Sequence, residues 1–218
     1  MKLKIDMHVH TRFSKDGYTR VDELPKIIRI KRIHGVAVTD HDRAISRLDI
    51  SPLEREGLII IPGIEVTTNR GHLIGLFIYD SLRRGLTPEE AADEIHGQGG
   101  LVVAPHPYDV FSKGVNPYSL RGLIDAIEVI NASSLPFRLS TLMAERTAER
   151  LNLPGIGGSD SHIPNTVGDA YTDVEVYSPC MDDIVKAIKG GRTTPQGRST
   201  SLKDRLRKLS LDLLKQRY

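Results

Sequence analysis

Histidines and carboxylates, grouped in short clusters, carry the chemistry that this sequence can perform. The first cluster is DMHVH (residues 6–10), in which one residue separates His8 from His10. Alternate residues of a β-strand share a face, so both imidazoles would point the same way and could ligate one cation. Two surface histidines near a strand end would give the same pattern. The pair therefore supports a metal site only if other potential ligands lie nearby.

Five further clusters of His, Asp or Glu lie at or near the ends of apolar segments. They are VTDHD (38–42), PGIEV (62–66), GH (71–72), APHP (104–107) and GSDSH (158–162). Because functional sites in α/β folds form at the carboxyl ends of strands, we expect these side chains to meet. His34 and His96 instead precede a glycine at a predicted helix end, where a histidine stabilises the last carbonyl groups.

The types of ligand indicate which cations these clusters would hold. Imidazoles mixed with carboxylates suit zinc, manganese, iron or cobalt, whereas magnesium and calcium prefer oxygen ligands. One zinc ion usually takes three or four protein ligands, so six histidines and at least two carboxylates predict two or three ions. A thiolate site and an internal disulfide are both excluded, because Cys180 is the single cysteine.

The elements that must position these clusters alternate between strands and helices. Short apolar segments predict strands at 3–9, 35–40, 58–66, 72–79, 100–105, 126–131 and 154–160. Amphipathic segments predict helices at 21–33, 87–98, 136–151 and 179–189. Such alternation is typical of an α/β fold with a parallel sheet, either closed as a barrel or open and doubly wound.

Composition and charge limit the class of protein. The 218 residues suit one domain, and 39% hydrophobic and 27% charged residues are typical of a globular protein. No apolar segment reaches the length that crosses a bilayer, so we expect a cytoplasmic protein without a membrane partner. The net charge is only +2, but nine Lys or Arg and two Asp follow residue 188, which leaves the rest of the chain acidic.

The basic tail is expected to form an element of its own. Residues 190–201 are a loose stretch (GGRTTPQGRSTS) without apolar periodicity. Beyond it, leucines recur at helical spacing: Leu202, Leu206, Leu209 and Leu213. This pattern predicts a basic amphipathic helix whose leucines pack on the body, with contact to nucleic acid or a membrane surface as the alternative. We therefore divide the chain into a body, 1–193, and a tail, 194–218.

Six motifs follow one another along the body: HVHT, VTDHD, PGIEVT, GHLIGL, APHP and GGSDSH. In this order they resemble the PHP superfamily, named for polymerase and histidinol phosphatase, over residues 1 to about 193. The resemblance implies a distorted (β/α)7 barrel with a bi- or trinuclear centre of zinc, manganese or iron. It also implies a hydrolase of phosphoester bonds, either a phosphatase or a phosphodiesterase.

The resemblance also assigns roles to individual residues. The implied metal ligands are His8, His10, Asp16, His41, Glu65, His72, His106, Asp160 and His162. Asp16 departs from the family pattern, because one additional residue separates it from the first motif. Glu65 is expected to bridge two ions and to act in catalysis with Asp160 and His162. Other carboxylates are expected to orient the ligand histidines: Asp6, Asp40 and Asp42.

The expected reaction is phosphoester hydrolysis by a metal-activated hydroxide, since bridged metals lower the pKa of bound water toward 7. Metals seldom hold a phosphate alone, so cationic or polar side chains near strand ends are predicted to contact the substrate. These are Arg12, Lys113, Asn131 and Arg138. The expected partner is a small phosphorylated metabolite, a nucleotide or an oligonucleotide end.

Three alternatives remain at this level. The first is a histidinol-phosphate phosphatase, although no distinct signature for an imidazole and amine is present. The second belongs to another class: a non-catalytic nucleic-acid-binding protein with a PHP-like barrel, which the retained ligand set disfavours. The third is amidohydrolase-type cleavage of C–N bonds, which also begins with His-x-His on a barrel strand. Glu65 and the GGSDSH motif favour phosphorus instead.

Overall fold

The computed structural model describes residues 1–54 and 56–215, and over these residues the chain forms one nine-stranded sheet flanked by helices. The strands are β1 Lys2–Val9, β2 Gly35–Val38, β3 Ile59–Thr68, β4 Gly71–Leu76, β5 Leu101–Ala104, β6 Ala126–Asn131, β7 Gly155–Gly158, β8 Ala170–Glu175 and β9 Thr193–Gly197. The helices are α1 Leu24–Lys31, α2 Arg47–Glu54, α3 Pro88–Gly97, α4 Phe137–Leu151, α5 Met181–Lys189 and α6 Leu202–Lys215.

The sheet curls until its ends meet, which makes a nearly closed barrel. Its strand order is β7-β6-β5-β4-β3-β2-β1-β8-β9. Beyond the ends of β7 and β1, the amide of Asp160 donates to the carbonyl of His8 at 2.8 Å, and the amide of His10 donates to the carbonyl of Ser161 at 2.9 Å. The strands approach so closely that a Cβ on Gly158 would lie 2.4 Å from the Cβ of His8. The predicted α/β barrel is confirmed.

The expectation of an entirely parallel sheet is wrong for β4. This strand pairs antiparallel with β3, from Gly63 opposite Leu76 to Thr68 opposite Gly71. Only two residues connect the strands, and a parallel crossover would need a dozen or more. The reversal brings the beginning of β4, with His72, to the edge where the other barrel strands end.

Three elements escape the sequence patterns: α2, β8 and β9. β9 lies within the predicted loose stretch and pairs antiparallel with β8, from Ala170 opposite Gly197 to Val174 opposite Thr193. Its residues are at most half-buried, and it contains Pro195 on an edge strand, so it lacks the apolar alternation that marks a strand. β9 spans the boundary between the body, 1–193, and the tail, 194–218, and this division of the chain stays a prediction. Residues 216–218 of the tail lie outside the described residues.

Apolar side chains fill the barrel below the polar edge. Met7, Ile61, Ile74 and Val103 project from four different strands and are fully buried. Burying each such side chain contributes about 1.5–3 kcal/mol, so this plug supports the strand ends from beneath. Within the described residues, no helix has both the length and the apolar character needed to cross a membrane.

Helix α6 faces the body with its polar side, which corrects the predicted packing of its leucines. Those leucines are 53–73% exposed: Leu202, Leu206, Leu209 and Leu213. On the opposite side, the guanidinium of Arg205 donates to the carbonyl oxygens of Ser133 (2.9 Å) and Ala132 (3.2 Å). Polar contacts, including these hydrogen bonds to backbone carbonyls, rather than apolar burial, therefore hold this helix against the barrel.

Candidate metal centre

The barrel edge brings the predicted ligands together from six strands or the loops that follow them. His8 lies on β1, Glu65 on β3 and His72 on β4, while the others follow β1, β2, β5 and β7: His10, His41, His106, Asp160 and His162. The two histidines expected to be structural lie apart from this cluster. His34 accepts a hydrogen bond from the amide of Lys4, and His96 pairs with Asp125 at 2.9 Å.

Glu65 lies at the centre of the cluster. Its carboxylate is 1% exposed, so water does not screen it. Its two oxygens lie 2.9–3.4 Å from nitrogen atoms of five imidazoles: His8, His10, His41, His72 and His106. One carboxylate surrounded by five imidazoles is the arrangement expected of a bridging ligand.

Asp160 approaches the cluster from the opposite wall. Its Oδ1 lies 3.3 Å from Nε2 of His10 and 3.6 Å from Nε2 of His8. Its Oδ2 accepts a hydrogen bond of 3.3 Å from the side-chain amide of Asn131. Asp160 and His106 both have positive φ, at 52° and 29°, a backbone conformation that is costly without glycine and that often marks functional sites.

The hydrogen bonds of His8 and His10 decide which nitrogen atoms remain for a metal. The hydroxyl of Ser14 donates to Asp40 at 2.7 Å, so it can only accept from Nδ1 of His10, at 3.1 Å. Nδ1 of His8 lies 3.0 Å from the carboxylate of Glu128 and must donate to it. Both rings therefore turn an Nε2 lone pair inward, and these atoms lie 3.0 Å apart. Facing lone pairs at this distance need a cation between them, either a proton or a metal ion.

The electrostatics of the cluster also favour a bound cation. Burial lowers the pKa of His8, but the carboxylates of Asp160, Glu128 and Glu65 outweigh it and raise the pKa well above its usual value. Burial acts in the same way on His10, yet hydrogen bonds with Asp160 and Glu65 raise its pKa to about 9. Protons and metal ions compete for the same lone pairs, so a site that attracts protons this strongly also attracts metals.

Three overlapping groups of ligand atoms are compact enough to hold an ion, each within 4.8 Å. They are His8–His10–Asp160, His10–His41–His162 and His41–Glu65–His72. In the last group, Nδ1 of His72 is buried 3.0 Å from Oε1 of Glu65, in a geometry that makes no hydrogen bond. Buried nitrogen atoms rarely lack a partner, so the donor set fits divalent cations.

Asp16 lies at the margin of the cluster. Its Oδ2 is 3.1 Å from Nε2 of His162, and its Oδ1 is buried without a partner in the described part of the chain. Burial raises the pKa of Asp16, but hydrogen bonding to His162 and the charges of nearby histidines lower it well below its usual value. Its carboxylate is thus ionised and near the cluster, and its role as a ligand stays a prediction.

The predicted substrate contacts are mostly not brought to the cluster. Arg12, Lys113 and Arg138 are exposed on loops and on the first turn of α4, and their side chains make no hydrogen bond or ion pair with the described residues. None of the three lines the cavity beside the cluster. Only Asn131 lies at the site, where it holds Asp160 and Glu128.

Glu128 is a site residue that sequence reasoning missed. This carboxylate on β6 is 1% exposed and accepts from Nδ1 of His8 (3.0 Å), the amide of His106 (2.8 Å) and the side chain of Asn131 (2.9 Å). A glutamate in the middle of an apolar strand was the available signal, since such a charge is buried only when it is paired.

The carboxylates expected to orient histidines support the loops instead. Asp40 accepts from the amides and hydroxyls of Thr11 and Ser14, and so it acts on His10 only through Ser14. Asp6 accepts from the amide and hydroxyl of Ser159; burial raises the pKa of Asp6 to about 6. These bonds fix the loops that carry the ligands.

Comparisons with known proteins agree with this architecture. A family model described as PHP-associated matches residues 140–193. The uncharacterized protein MJ1587 of Methanocaldococcus jannaschii is 34% identical over 141 residues, which cover 60% of this chain and 82% of the relative. The chain also resembles part of a two-domain protein of Bacteroides vulgatus, whose name says that it contains a predicted PHP-like metal-dependent phosphoesterase. The TM-score is 0.72 and the sequence identity is 23%, and the match covers 91% of this chain and 65% of the Bacteroides protein.

The chain thus contains a PHP-associated segment and shares its fold with a PHP-like protein. PsfC from Pseudomonas syringae shares this fold over 99% of this chain and 98% of its own, with a TM-score of 0.68 and 22% identity. The lesion-specific endonuclease Q of Pyrococcus furiosus shares it over 89% of this chain and 58% of its own, with a TM-score of 0.66 and 20% identity. At such identities the likeness concerns the fold, and the chemistry of this chain follows from its own residues.

Proposed function

We propose that this chain is a metal-dependent hydrolase of phosphoester bonds of the PHP type. The observation that carries the proposal is the pair of Nε2 lone pairs of His8 and His10, which face each other 3.0 Å apart beside Glu65 and Asp160. Imidazoles whose Nε2 atoms are directed into the site, together with buried carboxylates, form a donor set for zinc, manganese or iron.

Nine residues would hold two or three such ions: His8, His10, Asp16, His41, Glu65, His72, His106, Asp160 and His162. When bound, the ions would activate water as a nucleophile and neutralise charge on the phosphoryl oxygens. Glu128 and Ser14 keep the Nδ1 protons of His8 and His10 in place, so that each Nε2 lone pair stays directed into the site.

Asp160 and His162 line the adjoining cavity together with Asp16, so they are placed to contact substrate. Asn131 holds Oδ2 of Asp160 and leaves Oδ1 directed at the cluster, where it can orient water or accept a proton. Nε2 of His162 lies 3.1 Å from Asp16 and, where it does not hold a metal ion, is placed to pass a proton to the leaving group. Glu65, at the centre, orients the imidazoles around it.

The proposed substrates are small phosphorylated metabolites, nucleotides and oligonucleotide ends. The named activities of two fold neighbours, a phosphoesterase and an endonuclease Q, support chemistry at phosphorus. Nucleic acid is a second candidate, because one endonuclease Q structure contains a 27-mer duplex with an abasic lesion at the active site. A substrate screen separates these candidates.

The test combines metal analysis with turnover. We expect the purified protein to bind two or three equivalents of manganese, zinc or iron and to hydrolyse p-nitrophenyl phosphate, mononucleotides or short oligonucleotides. Glu65→Gln preserves the side-chain shape and should abolish turnover, whereas Glu145→Gln, on the exposed face of α4, should not. A wild-type protein that binds no metal and stays inert with all three metals would instead support the non-catalytic nucleic-acid role.

A further inference from the structure

A cavity of about 360 Å³ adjoins the metal cluster, and helix α6 forms one of its walls. Asp16, Asp160 and His162 line it from the barrel. From α6, it is lined by Arg205 and Lys208 as well as acidic side chains. A group bound at the cluster would therefore lie against this helix, and Arg205 and Lys208 are the Arg and Lys side chains among the described residues that line the cavity.

Contacts at two points along its length hold α6 in this position. Near its start, Arg205 donates to the carbonyls of Ala132 and Ser133, directly after β6. Two turns farther on, the hydroxyl of Tyr18 donates to Asp212 at 3.0 Å. The helix is thus attached to the loops after β6 and β1, which both belong to the rim of the site.

Lys208 lies between these attachments and faces the cavity. Its ammonium group bonds Asp212 at 2.7 Å, one turn along the helix, and lies 3.8 Å from Oδ2 of Asp16. The longer distance exceeds that of a hydrogen bond. An ammonium group has three donors, so two remain for an anion that enters the cavity. The side chain is 27% exposed, which leaves it partly shielded from water.

We propose that Lys208 is a substrate-binding residue that donates to the phosphoryl oxygens of a terminal phosphate. This inference rests on the proposed phosphoesterase function and narrows its substrate class. A phosphomonoester carries close to two negative charges at neutral pH, whereas a phosphodiester carries one. A cation in the wall of the site therefore favours a terminal phosphate over an internal phosphodiester linkage.

The test measures phosphate binding separately from turnover. Inorganic phosphate is titrated calorimetrically into the manganese-loaded protein, and KM and kcat are measured with p-nitrophenyl phosphate and bis(p-nitrophenyl) phosphate. Lys208→Ala and Lys208→Gln should weaken phosphate binding and raise KM for the monoester by about 10- to 100-fold, the effect of losing a charged hydrogen bond. KM for the diester should change less, kcat should stay within about twofold, and Lys208→Arg should restore most of the affinity.

Lys203→Ala is the matched control, because it removes the same charge from an exposed position of α6. It should bind phosphate and both esters like the wild type. The inference is overturned if Lys208→Gln, folded as judged by circular dichroism, keeps wild-type phosphate affinity and monoester KM, or if the metal-loaded wild type binds no phosphate. A wild type that binds phosphate through Lys208 but hydrolyses no ester would contradict the proposed function and retain the phosphate site.

Discussion

At the scale of single residues, the cluster depends on two side chains that bind no metal in our proposal. Ser14 and Glu128 each accept the Nδ1 proton of a histidine, and this sets the tautomer of His10 and His8. An imidazole whose Nδ1 keeps its proton has a free Nε2 lone pair. The acceptors on the far side of each ring therefore determine which nitrogen atom each histidine directs into the cluster.

Replacement of Glu128 tests this dependence. Glu128→Gln keeps the side-chain size but turns an NH2 group toward at least one of three donors, from His8, His106 and Asn131. We expect metal affinity to fall by about 10- to 100-fold and the free energy of unfolding to fall by about 1–3 kcal/mol. Competition with a chelator and urea denaturation measure the two effects. Glu145→Gln is the control, and equal metal affinity of both variants would contradict the role given to Glu128.

At the scale of elements, the orientation of α6 matters more than its amphipathic pattern. Leucine spacing identified a helix with an apolar stripe, but it could not tell which side meets the body. The body offers the carbonyl oxygens of Ala132 and Ser133, and the forked donors of Arg205 match their spacing. Packing partners of this kind come from residues that are distant in sequence and adjacent only in the folded protein. The spacing of residues within the helix therefore cannot predict them.

Arg205 therefore gives a test of how α6 is held. Lysine in its place keeps the charge but loses the fork that reaches two carbonyls at once. In Arg205→Lys, we expect faster hydrogen exchange in residues 202–215 and weaker phosphate binding, because the wall that carries Lys208 loosens. Arg207→Lys, at an exposed position of the same helix, should leave both unchanged. Unaltered exchange in Arg205→Lys would show that other contacts hold the helix.

The strands show where sequence patterns suffice and where they fail. Seven of the strands coincide with short apolar segments, and the clusters of His, Asp and Glu lie at or near the ends of these segments. The sequence therefore predicted that the candidate ligands would meet at one edge of the sheet. The reversed direction of β4 follows from a two-residue connection rather than from its apolar residues. The sequence did not predict β9, because Pro195 and the half-exposed residues around it do not form an alternating apolar pattern. The role of Glu128 was not predicted, because two of its partners come from β1 and the loop after β5, which are distant in sequence.

At the scale of the whole molecule, the proposed metal centre joins segments that are far apart in sequence. His8 and Asp160 meet across the closure between β1 and β7, while Glu65 and His106 come from the opposite side of the barrel. The buried carboxylates of Glu65, Glu128 and Asp160 repel one another at the barrel edge when no cation lies among them. Metal ions would therefore stabilise the closure of the barrel as well as supply its chemistry.

Metal removal should consequently lower the stability of the entire fold. A ligand at 100 times its Kd stabilises the native state by about 2.7 kcal/mol, which for a chain of this size corresponds to a change in Tm of roughly 5–10 °C. We expect chelation to lower Tm by such an amount and added manganese or zinc to restore it. Glu65→Gln should lose most of this response because its central carboxylate is gone, whereas Glu145→Gln should respond like the wild type. A Tm indifferent to chelator and metal in the wild type would show that the cluster is not a metal centre.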